Sequence, residues 1–209
     1  MDPLNKAHNM LDWHKLDNTG KIYPLVQSDR QTSLFRLTAV LTENVDPEKI
    51  KFSLIDIMPR FPYFQVVLKP GFFWHYFEKT KSLPSIQKDG HYPCSRYDKL
   101  WAIQPIHIYY NKNKLAIEFS HALTDGYGGS IFLQTLLTRY FDDEPEEGSF
   151  NISNPAREEE WEDSFTTYYD PSVPPSKAGK KALHLPYEAV LPGIYYSTTG
   201  ILPLKETLA

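Results

Sequence analysis

The sequence predicts a two-layer α/β (α+β) sandwich, a mixed and largely antiparallel sheet with helices packed on one face. Three observations predict it. Period-two runs such as Leu115, Ile117 and Phe119 within Lys114 to Ser120 mark half-buried strands. Stretches at helical spacing follow some of them, as Ile131, Phe132, Leu133, Leu136, Leu137, Tyr140 and Phe141 follow this one. A polar turn, Asn111-Lys112-Asn113-Lys114, joins two such strands into a hairpin.

Bulk properties narrow the function classes. With 209 residues the chain is one large domain or two small ones and buries a substantial core. Against 26 acidic residues stand 22 basic ones, a net charge of −4, and no Lys/Arg run suggests a nucleic-acid or membrane surface. Cys94 is the single cysteine, so no disulfide forms within the chain, which fits a reducing compartment. It lies between Pro93 and Ser95 without a local base and reads as a structural or idle thiol. No apolar signal core opens the chain and no run of about 18 apolar residues occurs, so a soluble cytoplasmic protein is expected.

Taken in order, Trp13-His14-Lys15-Leu16-Asp17 and Lys21-Ile22-Tyr23-Pro24 form a polar and aromatic opening loop turned at Gly20, with His14 read as a surface histidine. Ser33 to Leu41 is the first strong strand and carries Arg36. Asp46-Pro47-Glu48 starts a helix, with Asp as N-cap and Pro at its first position. Ile50, Leu54, Ile55 and Met58 give that helix one apolar stripe, closed by Pro59 and Pro62. Tyr63 to Lys69 and Gly71 to Phe77 read as two strands joined at Pro70-Gly71, their aromatic side chains assigned mainly to core or sheet packing. Lys79 to Lys99 is expected to be a long connection. Gln104 to Tyr110 is a further strand, in which His107 faces the core or a channel.

The motif strand then ends at Phe119-Ser120 and delivers His121, with Asp125 four residues on and glycines at 126, 128 and 129. Histidine titrates near neutrality and can take a proton from a hydroxyl or amine attacking a carbonyl. Asp125 either holds the imidazole directly or pairs with an arginine and acts at second hand, and Arg36, Arg60, Arg96 and Arg139 are the candidates. Gly126 leaves the ring accessible and permits positive φ, while Gly128, Gly129 and Ser130 are candidate binding residues at the helix start. No metal site is expected, because the glycines argue against the helix that a His and Asp four apart would need. Ser120, Thr124 and Ser130 lie in no nucleophile-elbow pattern, which weighs against a hydrolase.

His121-Ala122-Leu123-Thr124-Asp125-Gly126, followed by Gly128-Gly129-Ser130-Ile131-Phe132-Leu133-Gln134, resembles the His-x-x-x-Asp-Gly signature of the acyltransferase superfamily of chloramphenicol acetyltransferase, alcohol acetyltransferases and condensation domains. Condensation domains usually carry a second histidine directly before the first. Ser120 stands there, which leans toward the alcohol acetyltransferases. The resemblance implies that His121 is a general base, that Asp125 is structural, and that acyl-CoA, acetyl-CoA first, donates to a small alcohol or amine. It also implies that this chain is only the first of two halves: residues 1–142 form the motif-bearing subdomain and 143–189 an acidic, proline-containing surface excursion. Residues 190–209 are then a strand and the start of a crossover to a missing C-terminal half. The other readings are a non-catalytic ligand- or partner-binding domain, a condensation-like protein acting on carrier-bound thioesters, and a homodimer that rebuilds both halves.

Overall fold

The structure is a computed structural model that describes residues 12–28, 32–95, 103–141 and 156–173. Contacts divide the chain into two compact units, Met1–Tyr169 and Asp170–Ala209. Of the second unit only residues 170–173 are described, a turn in which the Ser172 hydroxyl and amide both donate to Asp170 Oδ1. The proposed strand at 190–196 and the acidic run at 142–150 lie outside the described residues.

The first unit is a mixed α+β structure with two open sheets rather than one. Strand β1 (Trp13–Lys15) pairs antiparallel with β4 (His75–Lys79), which pairs antiparallel with β3 (Val66–Pro70). The larger sheet has the order β2 (Leu34–Val40), β7 (Lys114–Ser120), β6 (Ile106–Asn111), β5 (Ser85–Lys88). All its pairings are antiparallel except β5 with β6, which is parallel. Strand β5 lies inside the stretch expected to be a long connection. Its four residues, Ser-Ile-Gln-Lys, are too short a run for alternation to stand out, and pairing with β6 rather than propensity makes the strand.

Helices α2 (Pro47–Ile57) and α3 (Gly126–Phe141) cover one face of the larger sheet. Asp46 caps α2 as expected, its carboxylate accepting from the amides of Glu48 and Lys49. The buried stripe is Ile50, Leu54 and Ile57, with Met58 behind it, whereas Ile55 is 46% exposed. From α3, Phe132, Leu136 and Tyr140 meet this stripe over Ile106, Ile108, Leu115, Ile117 and Phe119 of the sheet. The Tyr140 hydroxyl accepts from the Asp46 amide at 3.0 Å, and Arg139 reaches Asp56 at 2.7 Å, so the last turn of α3 is tied to both ends of α2. The opposite face of the sheet carries Arg36 and Glu118, cross-strand partners in the β2–β7 register.

The hairpin of β3 and β4 departs from expectation at its tip. Tyr63 and Phe64 sit in a short 3₁₀ turn, and Phe72, Phe73 and Trp74 stand out from the connection at 93%, 79% and 57% exposure. The aromatic content that suggested packing is buried only in part: Phe77 of β4 is buried, while the three aromatic residues of the tip stay largely exposed. Since full burial of a phenylalanine is worth about 1.5–3 kcal/mol, its absence here is measurable. Phe72→Ser or Phe73→Ser is expected to move the unfolding free energy by at most about 0.5 kcal/mol in a denaturant titration. A loss near the burial value would mean that the tip is packed.

Residues past the expected boundary at 142 belong to the first unit. Glu160, from a 3₁₀ turn at Glu158–Glu160, accepts two hydrogen bonds from the buried Arg60 guanidinium at 2.7 and 2.6 Å and one from the Tyr63 hydroxyl at 3.0 Å. Trp161 lies against the Tyr63 ring at 5.6 Å, and the short α4 (Ser164–Tyr168) follows. Burial favours the neutral acid, but the Arg60 hydrogen bonds outweigh it and hold the Glu160 carboxyl below the usual glutamate value of 4.5. Burial and then the Glu160 charge push the Tyr63 hydroxyl far up. A carboxylate held low contributes stability that is complete above the unfolded value and is lost as pH falls through the folded one. Proteolysis within residues 156–169 is therefore expected to accelerate below about pH 4.5 before the core unfolds. Glu160→Gln should already be cut faster at pH 7 and show a weaker acid response; a Gln variant with wild-type behaviour would remove the ion pair from this account.

Candidate functional site

Strand β7 is the best-buried strand of the sheet, and the chain leaves it at Ser120 in a turn closed on that residue. The amides of Leu123 and Thr124 donate to the Ser120 carbonyl at 2.9 and 3.3 Å, and the Ala122 amide donates to its hydroxyl at 3.2 Å. The His121 amide donates to the Ser33 carbonyl at 2.8 Å, while the Ser33 hydroxyl donates to the Tyr23 carbonyl at 3.1 Å. Ser33, itself buried, thus stitches the motif turn to the start of β2 and to the short helix α1 (Ile22–Val26).

The half-buried His121 imidazole lies against two aromatic rings. Tyr23 stacks on it with centroids 5.1 Å apart and planes 20° apart, and Phe35 lies 4.5 Å away at 38°. Phe35 reaches that place because position 129 is glycine: a Cβ there would stand 3.0 Å from the Phe35 ring and 3.3 Å from Phe119. Position 128 is equally constrained, since its Cβ would come 2.2 Å from the Thr124 hydroxyl.

Asp125 is exposed, and its carboxylate accepts the Gly128 amide at 2.8 Å while its carbonyl accepts the Gly129 amide at 2.9 Å. Those contacts make it the N-cap of α3. Gly128 and Gly129 lie in the first turn of α3, where both amides donate to Asp125. The Ser130 hydroxyl is likewise engaged, donating to the Gly126 carbonyl at 2.7 Å. Gly126 does not use positive φ; a Cβ at this position would meet open space, so local sterics do not demand glycine.

The arginines considered for Asp125 hold other carboxylates. Arg36 binds Glu118 at 2.9 Å and Asp89 at 2.9 Å, Arg60 binds Glu160, and Arg139 binds Asp56; Arg96 lies outside the described residues. His107 is committed at both ring nitrogens, Nδ1 to the Ser85 hydroxyl and Nε2 to the Gln104 carbonyl, each at 2.9 Å, and burial lowers its pKa. It is a structural residue on the face away from the helices. His14 is not on an opening loop but in β1, its ring 5.3 Å from Phe77 and its pKa lowered by burial. Burial, and then the Glu118 charge, push the Cys94 thiol up to about 11, which keeps it protonated and unreactive near neutrality.

Sequence reasoning missed Tyr23 and Phe35 as neighbours of His121 and Glu118 as the partner of Arg36. The antiparallel register aligns Leu34 with Ser120 and Arg36 with Glu118, and the hairpin preceding His121 was legible, but nothing local marks β2 as the neighbour of β7. A groove of about 560 Å³ opens beside the turn that follows β1, lined by Trp13, Lys15, Leu16, Lys21, Phe73 and Trp74 among others. Its floor residue Leu16 packs with Ala122 of the motif turn in the smaller core. No described helix is long and apolar enough to cross a membrane.

No protein-family model matches the chain, and no curated protein sequence matches it. Solved structures do. The condensation domain of the monacolin K polyketide synthase MokA aligns at 11% identity over 71% of this chain and 38% of that one, TM-score 0.50. A chain in the complex of the X-domain and OxyB from teicoplanin biosynthesis aligns at 9% identity over 63% and 33%, TM-score 0.51. TRI101 of F. sporotrichioides, complexed with coenzyme A and T-2, aligns at 12% identity over 65% and 40%, TM-score 0.45. The chain spans between a third and about two-fifths of the length of these structures. Its described core shares the fold of the condensation domain and of the matched chain in the X-domain complex.

Proposed function

We propose that His121 is the general base of an acyl transfer in which an acyl group, acetyl first, passes from acyl-CoA to a small alcohol or amine. The observation that carries this reading is an imidazole held at the end of a buried strand, half-buried against two aromatic rings, on a fold shared with a condensation domain. The base takes the proton of the acceptor O–H or N–H as that atom attacks the thioester carbonyl. A tetrahedral oxyanion forms, and its collapse breaks the C–S bond. The thiolate that leaves takes the proton back from the imidazolium, so no covalent enzyme intermediate is needed.

The oxyanion's donors on this reading are not the Gly128 and Gly129 amides, which the helix cap occupies. They come instead from the C-terminal half of a longer parent polypeptide, which also supplies the second wall of the acyl-CoA site. Holding two substrates in register supplies much of the advantage in such a reaction, so the 209-residue chain alone is expected to be a weak catalyst. The match to a condensation domain favours one second reading, a donor thioester carried on a protein-bound arm instead of free CoA. Ser120 in place of the second histidine favours the first.

Thiol release from acetyl-CoA, measured with a panel of short alcohols and amines, tests the reading on the 209-residue chain and on the longer parent polypeptide. Release that depends on an acceptor and disappears in His121→Ala is the expected result. Release only from an acyl-carrier thioester selects the second reading, and acceptor-dependent release untouched by His121→Ala removes the histidine from the chemistry.

A further inference from the structure

We propose that Tyr23 is a positioning residue for the His121 base, working with Phe35 as an aromatic clamp in place of a carboxylate partner. The inference rests on the acyl-transfer reading above. A general base must present one ring nitrogen to the acceptor, and something must stop rotation about its side-chain bonds. In triad-type sites a carboxylate on the other nitrogen does this. Here Asp125 Oδ1 caps the helix by accepting the Gly128 amide at 2.8 Å, and Arg36, Arg60 and Arg139 are bound to other acids.

The rings of Tyr23 and Phe35 lie 5.1 and 4.5 Å from the imidazole centroid, within the range of favourable aromatic pairs. Two flat neighbours this close limit how far the ring can turn. Each neighbour is itself fixed: Tyr23 by the Ser33 hydroxyl on its carbonyl, Phe35 by the stack on Phe119 at 5.3 Å and by the missing Cβ at Gly129. The Ser33 carbonyl accepts the His121 amide, so backbone and ring are registered against one residue. The Tyr23 hydroxyl has no part in this device; the flat ring does the positioning.

The test compares Tyr23→Phe, Tyr23→Leu and Tyr23→Ala in the full polypeptide, by steady-state kinetics and by the NMR resonances of the His121 ring protons. Displacement of a reacting group by about 1 Å costs up to about 10²-fold, so Tyr23→Ala and Tyr23→Leu are expected to lower kcat by about 10- to 10²-fold with KM little changed. Tyr23→Phe should keep near wild-type kcat. The His121 ring protons, shifted by the stacked ring, should move in the Ala and Leu variants and stay in place in Phe. Leu keeps apolar bulk, so it remains informative if Ala fails to fold. Equal losses in Phe and Ala would overturn the proposal by assigning the effect to the hydroxyl, as would unchanged His121 resonances in Leu. Should acyl transfer survive His121→Ala, the general-base role of His121 falls on that result alone, and the resonances still decide whether Tyr23 fixes the ring.

Discussion

His121→Ala is expected to lower acyl-transfer turnover by about 10²–10⁴-fold, the usual contribution of a positioned general base. Little of that loss should come from the fold. The His121 backbone amide, which donates to the Ser33 carbonyl, survives the substitution, and the side chain packs on the rings of Tyr23 and Phe35. Asp125 makes the comparison decisive. It caps α3 through Gly128, so Asp125→Ala is expected to cost about 1 kcal/mol of stability, while Asp125→Asn, itself a good cap, should restore most of it. Turnover in both Asp125 variants should stay well above that of His121→Ala once compared below their unfolding transitions. Asp125→Asn with intact stability and a turnover as low as His121→Ala would place the carboxylate in the chemistry and demote its capping role.

The parts of this molecule that could be read from the sequence are those set by neighbours along the chain. The cap at Asp46 with Pro47, the hairpin ending at Ser120, and the helix after Asp125 depend on residues within a few positions, and the structure has all three. The motif histidine was found because strand, turn and helix succeed one another around it. What was missed is set by register between distant strands. Phe35 reaches His121, and Arg36 reaches Glu118, because β2 lies beside β7, more than 70 residues later, while Tyr23 comes from α1, tied to Ser33 just before β2. Residues 85–88 become a strand because β6 offers a parallel edge. The exposed Phe72-Phe73-Trp74 tip shows the reverse error: aromatic content was taken as packing where the hairpin provides nothing to pack on among the described residues.

Arg36→Met is expected to cost about 3–5 kcal/mol, because it removes a guanidinium from a carboxylate that has almost no access to water. Glu118 is 2% exposed and lies three residues before His121, on the sheet face away from the helices. Its Oε1 accepts from Arg36 Nε at 2.9 Å and from the Cys94 amide at 2.7 Å. Arg36 also donates to both Asp89 oxygens, at 2.9 and 3.2 Å, and lies 5.0 Å from the Tyr109 ring centroid. Burial disfavours the charged guanidinium, yet the Asp89 hydrogen bond and the charges of Glu118 and Asp89 outweigh it and raise its pKa. The cation is therefore what makes the acid tolerable in this position, and methionine fills similar volume without supplying it. The loss on this account comes from burying the carboxylate without its cation more than from losing the pair's own attraction, and the double variant separates the two. Arg36→Met with Glu118→Leu should be more stable than Arg36→Met alone, although one more native residue has been removed. Denaturant unfolding of the two proteins measures the difference. A double variant less stable than the single one would mean that Glu118 is well satisfied without Arg36, and that the pair contributes to the sheet chiefly through its own attraction.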